Sequence, residues 1–256
     1  MRLGFIGTGV ITQAVVTGLI RFGVPFERIA LSPRNAETAA GLAELDARVH
    51  VCASNQEVLA TSDAICLAVV PQIAAGVLSG LEFDARHHVI SFIAGIKIDE
   101  VRRLVRTASK VVRAIPLPAV AEGKGSTVIC PADDLAKSLF LPLGEAVEVD
   151  SEGKFDALSA ATATMASFYA VLEAQASWLV RQGLRYEDAR AFLSGYCVGL
   201  AHGTTRTAQP FSLMAESCMT PGGINEQVHA ELSQRGTYAH YGDALGRVLD
   251  RIEGRA

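Results

Sequence analysis

The sequence predicts an α/β domain built on a mostly parallel sheet, followed by an all-α domain. Three observations carry this reading. Short apolar runs alternate with segments of helical spacing, a glycine turn joins the first run to the first helical segment, and after about residue 150 the pattern becomes Ala-rich and helical, without strand-like alternation.

"RLGFIG" (2–7) is a short apolar run ending in glycine, as a buried strand is. "VITQAVVTGLIRFG" (10–23) places Ile11, Ala14, Val15, Leu19 and Phe22 at helical spacing, with Gly23 as its stop. "RIALS" (28–32) and "NAETAAGLAEL" (35–45) repeat the strand and helix. "RVHV" (48–51), "AICLAVV" (64–70), "HHVISFI" (87–93) and "KVVRAI" (110–115) are further strands, separated by helical or irregular stretches that include the residues after Pro71 and "KIDEVRRLV" (97–105). "STVIC" and "AVEV" read as two later strands around a short helix near residues 133–140. Such alternation implies a parallel sheet with helices on both faces.

"FDALSAATATMASFYAVLEAQASWLVRQGL" (155–184), "RYEDARAFLSGYCVGLAHGTTR" (185–206) and "DALGRVLDRI" (243–252) read as helices. Two domains are therefore expected, residues 1–152 and residues 153–256. The helices at 155–181 and 187–205 carry apolar or small residues on most faces and must be buried. About 100 residues offer little core of their own. Burial against a second copy, as a homodimer or higher homo-oligomer, is expected ahead of an ordinary intrachain bundle.

Composition bounds the partners. The 256 residues are 50% hydrophobic and carry a formal charge of −4 from 23 basic and 27 acidic side chains. There is no basic face or Lys/Arg cluster of the kind that nucleic acid or an anionic membrane recruits. No signal-peptide pattern opens the chain, and no apolar run reaches the roughly 18 residues of a membrane span, so a soluble, cytoplasmic protein is expected. Cys52, Cys66, Cys130, Cys197 and Cys218 are odd in number and scattered without a CxxC pair, which fits reduced, buried thiols. The histidines form no HxxxH pair, and no protein metal site is expected.

The glycine turn is Gly7-Thr8-Gly9-Val10-Ile11-Thr12, a GxGxxG-type sequence with Thr at its last position. The first glycine permits the tight turn, and the second lets a pyrophosphate approach the backbone at the helix N-terminus. Its place between the first strand and the first helix makes the α/β domain Rossmann-like and dinucleotide-binding. Thr12 departs mildly from the usual small residue, because its side chain has to fit between helix and strand. The second strand ends in "LSPRN", with Ser32 and Arg34 and no acid to bond a ribose 2′-hydroxyl. A hydroxyl and a guanidinium suit a 2′-phosphate, so NADP(H) is the expected cofactor.

"CMTPGGINEQ" (218–227) holds a Pro-Gly-Gly break before a new helical start, whose unpaired backbone N–H groups can receive an anion. The stretch alone reads first as a loop between packed helices, and only the rest of the chain argues for the anion site.

Taken together, "GFIGTG", "SPRN", Asn55 in "ASNQEVL", "LAVVPQ", "SFIAGI", "VVRAIPLPAV", "MASFYAVLEAQASWLVRQGL" and "MTPGGI" resemble the pyrroline-5-carboxylate reductase family, over nearly the whole chain. These are NADPH-dependent enzymes that complete proline synthesis. The resemblance implies a helical half that dimerises and a Ser-Pro-Gly-Gly-x-Thr turn that holds the substrate carboxylate. It adds Asn55, Ala68, Val69 and Pro71 to the cofactor residues Gly7, Thr8, Gly9, Val10, Ile11, Ser32 and Arg34. It assigns Gly222, Gly223 and Asn225 to the substrate, with Thr220 and Asn225 as the side chains acting on it. The chain also departs from the family: Val70 replaces a lysine, 115–119 ("IPLPA") is shortened and loses two polar residues, Asn225 stands for Thr and Thr220 for Ser. Tyr169 is a candidate wall residue, though a core tyrosine is the plainer reading. The implied chemistry is hydride transfer to the C=N bond of a small cyclic imino acid. A reductase acting on another imine or carbonyl, and a nucleotide-binding regulatory protein without catalysis, remain as alternatives.

Overall fold

The computed structural model describes residues 1–255 and divides into two compact units, Met1–Ser159 and Ala160–Ala256. The division falls past residue 152 because Phe155 and Asp156, in the first turns of the helix that begins at Glu152, are buried in the first unit.

Eight strands form one sheet in the first unit: β1 (Arg2–Ile6), β2 (Arg28–Leu31), β3 (Val49–Val51), β4 (Ala64–Leu67), β5 (His88–Ser91), β6 (Lys110–Ile115), β7 (Gly125–Cys130) and β8 (Gly144–Glu148). Their order is β3-β2-β1-β4-β5-β6-β7-β8. All neighbours are parallel except β6 and β7. The inner strands are buried on both faces, which is why they read as apolar runs rather than as alternations. Phe5 pairs with Leu31 on one side and Cys66 on the other.

The helices of this unit are α1 (Val10–Arg21), α2 (Ala36–Leu45), α3 (Asn55–Ala60), α4 (Pro71–Leu78), α5 (Ile98–Val105), α6 (Asp134–Phe140) and α7 (Glu152–Thr162), the last crossing into the second unit. Alternate strand residues feed two apolar clusters. Leu3, Phe5 and Leu31 pack with Val15 and Leu19 of α1, while Ile6, Ile65 and Leu67 pack with Val58, Leu78 and Val101. Helix α3 falls in a stretch expected to be helical or irregular, and its start is marked: Ser54 Oγ accepts from Glu57 N at 3.2 Å, and the Glu57 carboxylate accepts from Ala53 N at 2.7 Å.

The second unit holds α8 (Met165–Arg181), α9 (Tyr186–Thr205), α10 (Phe211–Ser217), α11 (Ile224–Gln234) and α12 (Thr237–Ile252). The long helix expected at 155–184 is broken between α7 and α8. At the break the Thr164 hydroxyl donates to Ala161 O at 2.9 Å, and the Ser167 hydroxyl donates to Thr164 O at 2.8 Å, local bonds that compete with a continuous helix. Within Glu152–Arg181 a window of 18 residues reaches a mean hydropathy of 1.2, the length and composition of a membrane span, although the helix is interrupted between α7 and α8. This corrects the expectation that none would. Its Ala-rich composition raises the mean hydropathy, and its first turn carries Glu152 and Asp156 in a buried ion cluster.

Helices α8 and α9 bury only Ala176, Ala189 and Leu193. They leave Phe168, Trp178, Phe192, Tyr196, Val198 and Leu200 exposed on the chain. Tyr169 is 69% exposed, not a core residue. Of the cysteines, Cys52, Cys66 and Cys130 are buried as expected, Cys197 is half-buried and Cys218 is exposed.

Candidate functional site

Strand β1 lies between β2 and β4, where the strand order reverses, and the glycine turn sits at its carboxyl end. That is where doubly wound folds bind their ligands. Gly7 has φ +100°, and a Cβ there would lie 2.5 Å from the Ala68 carbonyl oxygen, so only glycine fits. Gly9 faces open space, with nothing within 4 Å of where a Cβ would stand. It precedes α1, which has no side-chain cap and no acid in its first turn. The first N–H groups of α1 are thus left for an anion. Val10 is exposed and Ile11 half-buried beside them.

Buried hydroxyls hold the turn. Thr12 is fully buried and its hydroxyl donates to Gly7 O at 2.6 Å, so the residue that departs from the usual small side chain both fits and braces the loop. Ser32 Oγ accepts from Gly7 N at 3.0 Å, and Thr8 Oγ1 donates to Ser32 O at 2.8 Å. Asn35, in the left-handed region at φ +63°, donates through Nδ2 to Thr8 O at 3.2 Å. Between them Arg34 is exposed, without an ion pair among the described residues.

Carboxyl-terminal to β4, Ala68 N donates to Ile6 O at 2.8 Å, Val69 is buried, and the exposed Val70 precedes Pro71, the first residue of α4. Asn55 is the half-buried first residue of α3. In the 115–119 stretch Pro116 is buried and Leu117 half-buried. Burial pushes the Cys66 thiol well above its ordinary value, leaving it an inert core group. These features fit a dinucleotide phosphate: a glycine at the point of closest backbone approach, an uncapped helix start, and a guanidinium with no acid at the end of β2.

A buried ion cluster escaped sequence reasoning. Arg113 of β6, 2% exposed, donates to Glu152 at 2.7 Å and to Asp156 at 3.1 Å, and its guanidinium lies 4.2 Å from the Phe155 ring centroid. Lys97 also pairs with Asp156, and Glu152 accepts from Ile98 N at 2.9 Å. The start of α7 is thereby tied to β6 and to the first turn of α5. The one signal was an arginine inside the apolar run "KVVRAI".

In the second unit, the 220–225 turn opens α11. Gly222 has φ +74°, and Gly223 N donates to Thr220 O at 2.8 Å. Asn225 Nδ2 donates to Cys218 O at 3.1 Å, drawing the helix start over the preceding loop. Thr220 and Asn225 are both exposed. Glu226 Oε2 accepts from Gly222 N at 2.6 Å, so an amide that could receive a substrate carboxylate is already bonded to one.

The fold and the phosphate-binding turn define a dinucleotide-dependent oxidoreductase. Residues 2–95 match the family model described as NADP oxidoreductase, coenzyme F420-dependent, and residues 152–254 match pyrroline-5-carboxylate reductase dimerisation. The chain belongs to the pyrroline-5-carboxylate reductase family. It is 29% identical over 233 residues to the pyrroline-5-carboxylate reductase of Haemophilus influenzae, covering 86% of this chain and 85% of that one. It is 27% identical over 266 residues to that of Methanosarcina acetivorans, covering 98% and 96%. Among solved structures, the pyrroline-5-carboxylate reductase of Coxiella burnetii shares the fold with a TM-score of 0.83 at 24% identity, over 99% of this chain and 98% of that one. The Plasmodium falciparum enzyme, solved with NADP bound, also has a TM-score of 0.83, at 19% identity over 100% and 98%.

Proposed function

We propose that this protein is an NADP(H)-dependent reductase that converts pyrroline-5-carboxylate to proline. The observation that carries the reading is the open, uncapped start of α1 behind Gly7 and Gly9, at the reversal of strand order, in a chain of this family. NADPH, when bound, supplies a hydride to the imine carbon. The residues of the chain orient and select. The amides at the start of α1 take the pyrophosphate, and Arg34 takes the 2′-phosphate. The turn from Thr220 to Asn225 seats the substrate carboxylate through backbone N–H groups and the Asn225 amide. A cyclic imine that arrives protonated needs no proton from a protein acid, in keeping with a turn of amides and hydroxyls. The exposed aromatic and aliphatic side chains of α8 and α9 support a homodimer built through the helical unit. A cytoplasmic location is part of the same proposal.

The test is NADPH oxidation on addition of pyrroline-5-carboxylate, with proline as the product. No oxidation above the rate without substrate would overturn the reading. A second reading, a reductase of a different imine, is favoured by the Glu226 carboxylate at the Gly222 amide. Faster turnover of an uncharged cyclic imine than of pyrroline-5-carboxylate would support it.

A further inference from the structure

Ser32 ends the second strand, where a hydroxyl beside Arg34 would be read as a 2′-phosphate ligand. Its surroundings give it other work. The residue is 0% exposed. Its Oγ accepts from Gly7 N at 3.0 Å and lies 3.0 Å from Thr8 Oγ1. Thr8 gives its own proton to the Ser32 carbonyl at 2.8 Å, so in the second contact the Ser32 hydroxyl is the donor. A serine hydroxyl has one proton. With that proton on Thr8, none is left for a phosphate oxygen, which can only accept. The other side of the same turn is held by Thr12 on Gly7 O and by Asn35 on Thr8 O.

Resting on the NADP(H) reading above, we infer that Ser32 is a positioning residue for the pyrophosphate loop and not a reader of the 2′-phosphate. With Thr8 it locks the peptide of Gly7, at φ +100°, in the orientation that leaves Gly9 and the start of α1 open. The choice between NADPH and NADH then falls to Arg34, a planar donor without a hydrogen-bond or ion-pair partner among the described residues.

The experiment measures dissociation constants of NADPH and of NADH, by nicotinamide fluorescence on the full chain, for the unmutated protein and for Ser32→Ala, Thr8→Val, Thr8→Ser and Arg34→Ala. Ser32→Ala strips the half-buried Gly7 N–H of its acceptor, so both cofactors weaken by the same factor, about five- to tenfold. The ratio of the two constants stays as in the unmutated protein. Thr8→Val gives the same equal loss, and Thr8→Ser, which keeps the hydroxyl, binds both cofactors normally. Arg34→Ala weakens NADPH and leaves NADH unchanged, collapsing the ratio. Loss of NADPH affinity alone in Ser32→Ala would show a direct phosphate contact and overturn the inference. Unchanged binding of both cofactors in a folded Ser32→Ala would also overturn it, as would a Thr8→Val with unequal losses where Ser32→Ala does not fold. An unmutated protein that binds NADH as tightly as NADPH refutes the NADP(H) reading itself, a result separate from any comparison of variants.

Discussion

Glu226 and Gly222 are bonded to each other across the turn that opens α11, with the carboxylate oxygen 2.6 Å from the amide nitrogen. A substrate carboxylate arriving at that amide has to displace a like charge. Glu226→Gln removes the charge and keeps the length of the side chain. KM for pyrroline-5-carboxylate should fall about five- to tenfold, the scale of one hydrogen bond to a charged group, with KM for NADPH unchanged. Steady-state kinetics with each substrate varied in turn reads this. A raised KM would show that Glu226 only caps the helix.

Two changes inside the turn act in the opposite direction. A Cβ at Gly223 would stand 2.4 Å from Thr220 Oγ1 and 2.9 Å from Thr220 O, so Gly223→Val forces the turn apart. Asn225→Ala removes the donor to Cys218 O and the donor proposed for the substrate. For Asn225→Ala, kcat/KM should fall roughly 10- to 150-fold, equivalent to about 1.5–3 kcal/mol. Gly223→Val should lose more. Cofactor titration should be nearly unchanged in both, since the glycine turn of β1 and α1 is untouched.

Leu200 of α9 is 50% exposed on the chain, in a helix that also exposes Phe192, Tyr196 and Val198. Burying that face against a second copy explains why so apolar a helix leaves so much uncovered. Leu200→Glu should yield monomers or aggregates in sedimentation velocity, where the unmutated protein sediments as a dimer or larger.

Arg113 supplies the buried positive charge that balances Asp156, which is fully buried. Arg113→Met leaves that carboxylate with Lys97 as its remaining cationic partner. Breaking a buried pair from one side costs about 3–5 kcal/mol, so the midpoint of chemical denaturation should drop clearly. Arg113→Met combined with Asp156→Leu should cost less than Arg113→Met alone.

Much of this architecture was legible because the strands are buried on both faces. Runs such as "RLGFIG" and "AICLAVV" announce themselves without any neighbour, and Gly7, Gly9 and Gly23 punctuate the first helix. The reversed direction of β7 was not legible, since an apolar run reads alike for a parallel and an antiparallel partner. The break at Thr164 was hidden by the Ala-rich pattern around it. Ser32 could be placed at the end of a strand, but its bond to Gly7 joins residues 25 positions apart and depends on β1 and β2 being neighbours. Arg113 and Asp156 are 43 positions apart, and neither has a local pattern that points to the other. The Glu226 bond, by contrast, spans four positions at a helix start and was open to a capping argument.

Transfer of a hydride from NADPH to the imine carbon of pyrroline-5-carboxylate leaves an isotopic mark on the product. NADPH carrying deuterium at the transferable position of the nicotinamide tests it most directly, with the product analysed by mass spectrometry. The expected product is proline heavier by one deuterium, placed on the ring carbon that had been double-bonded to nitrogen. Unlabelled proline, or no proline with the labelled cofactor left intact, would contradict it.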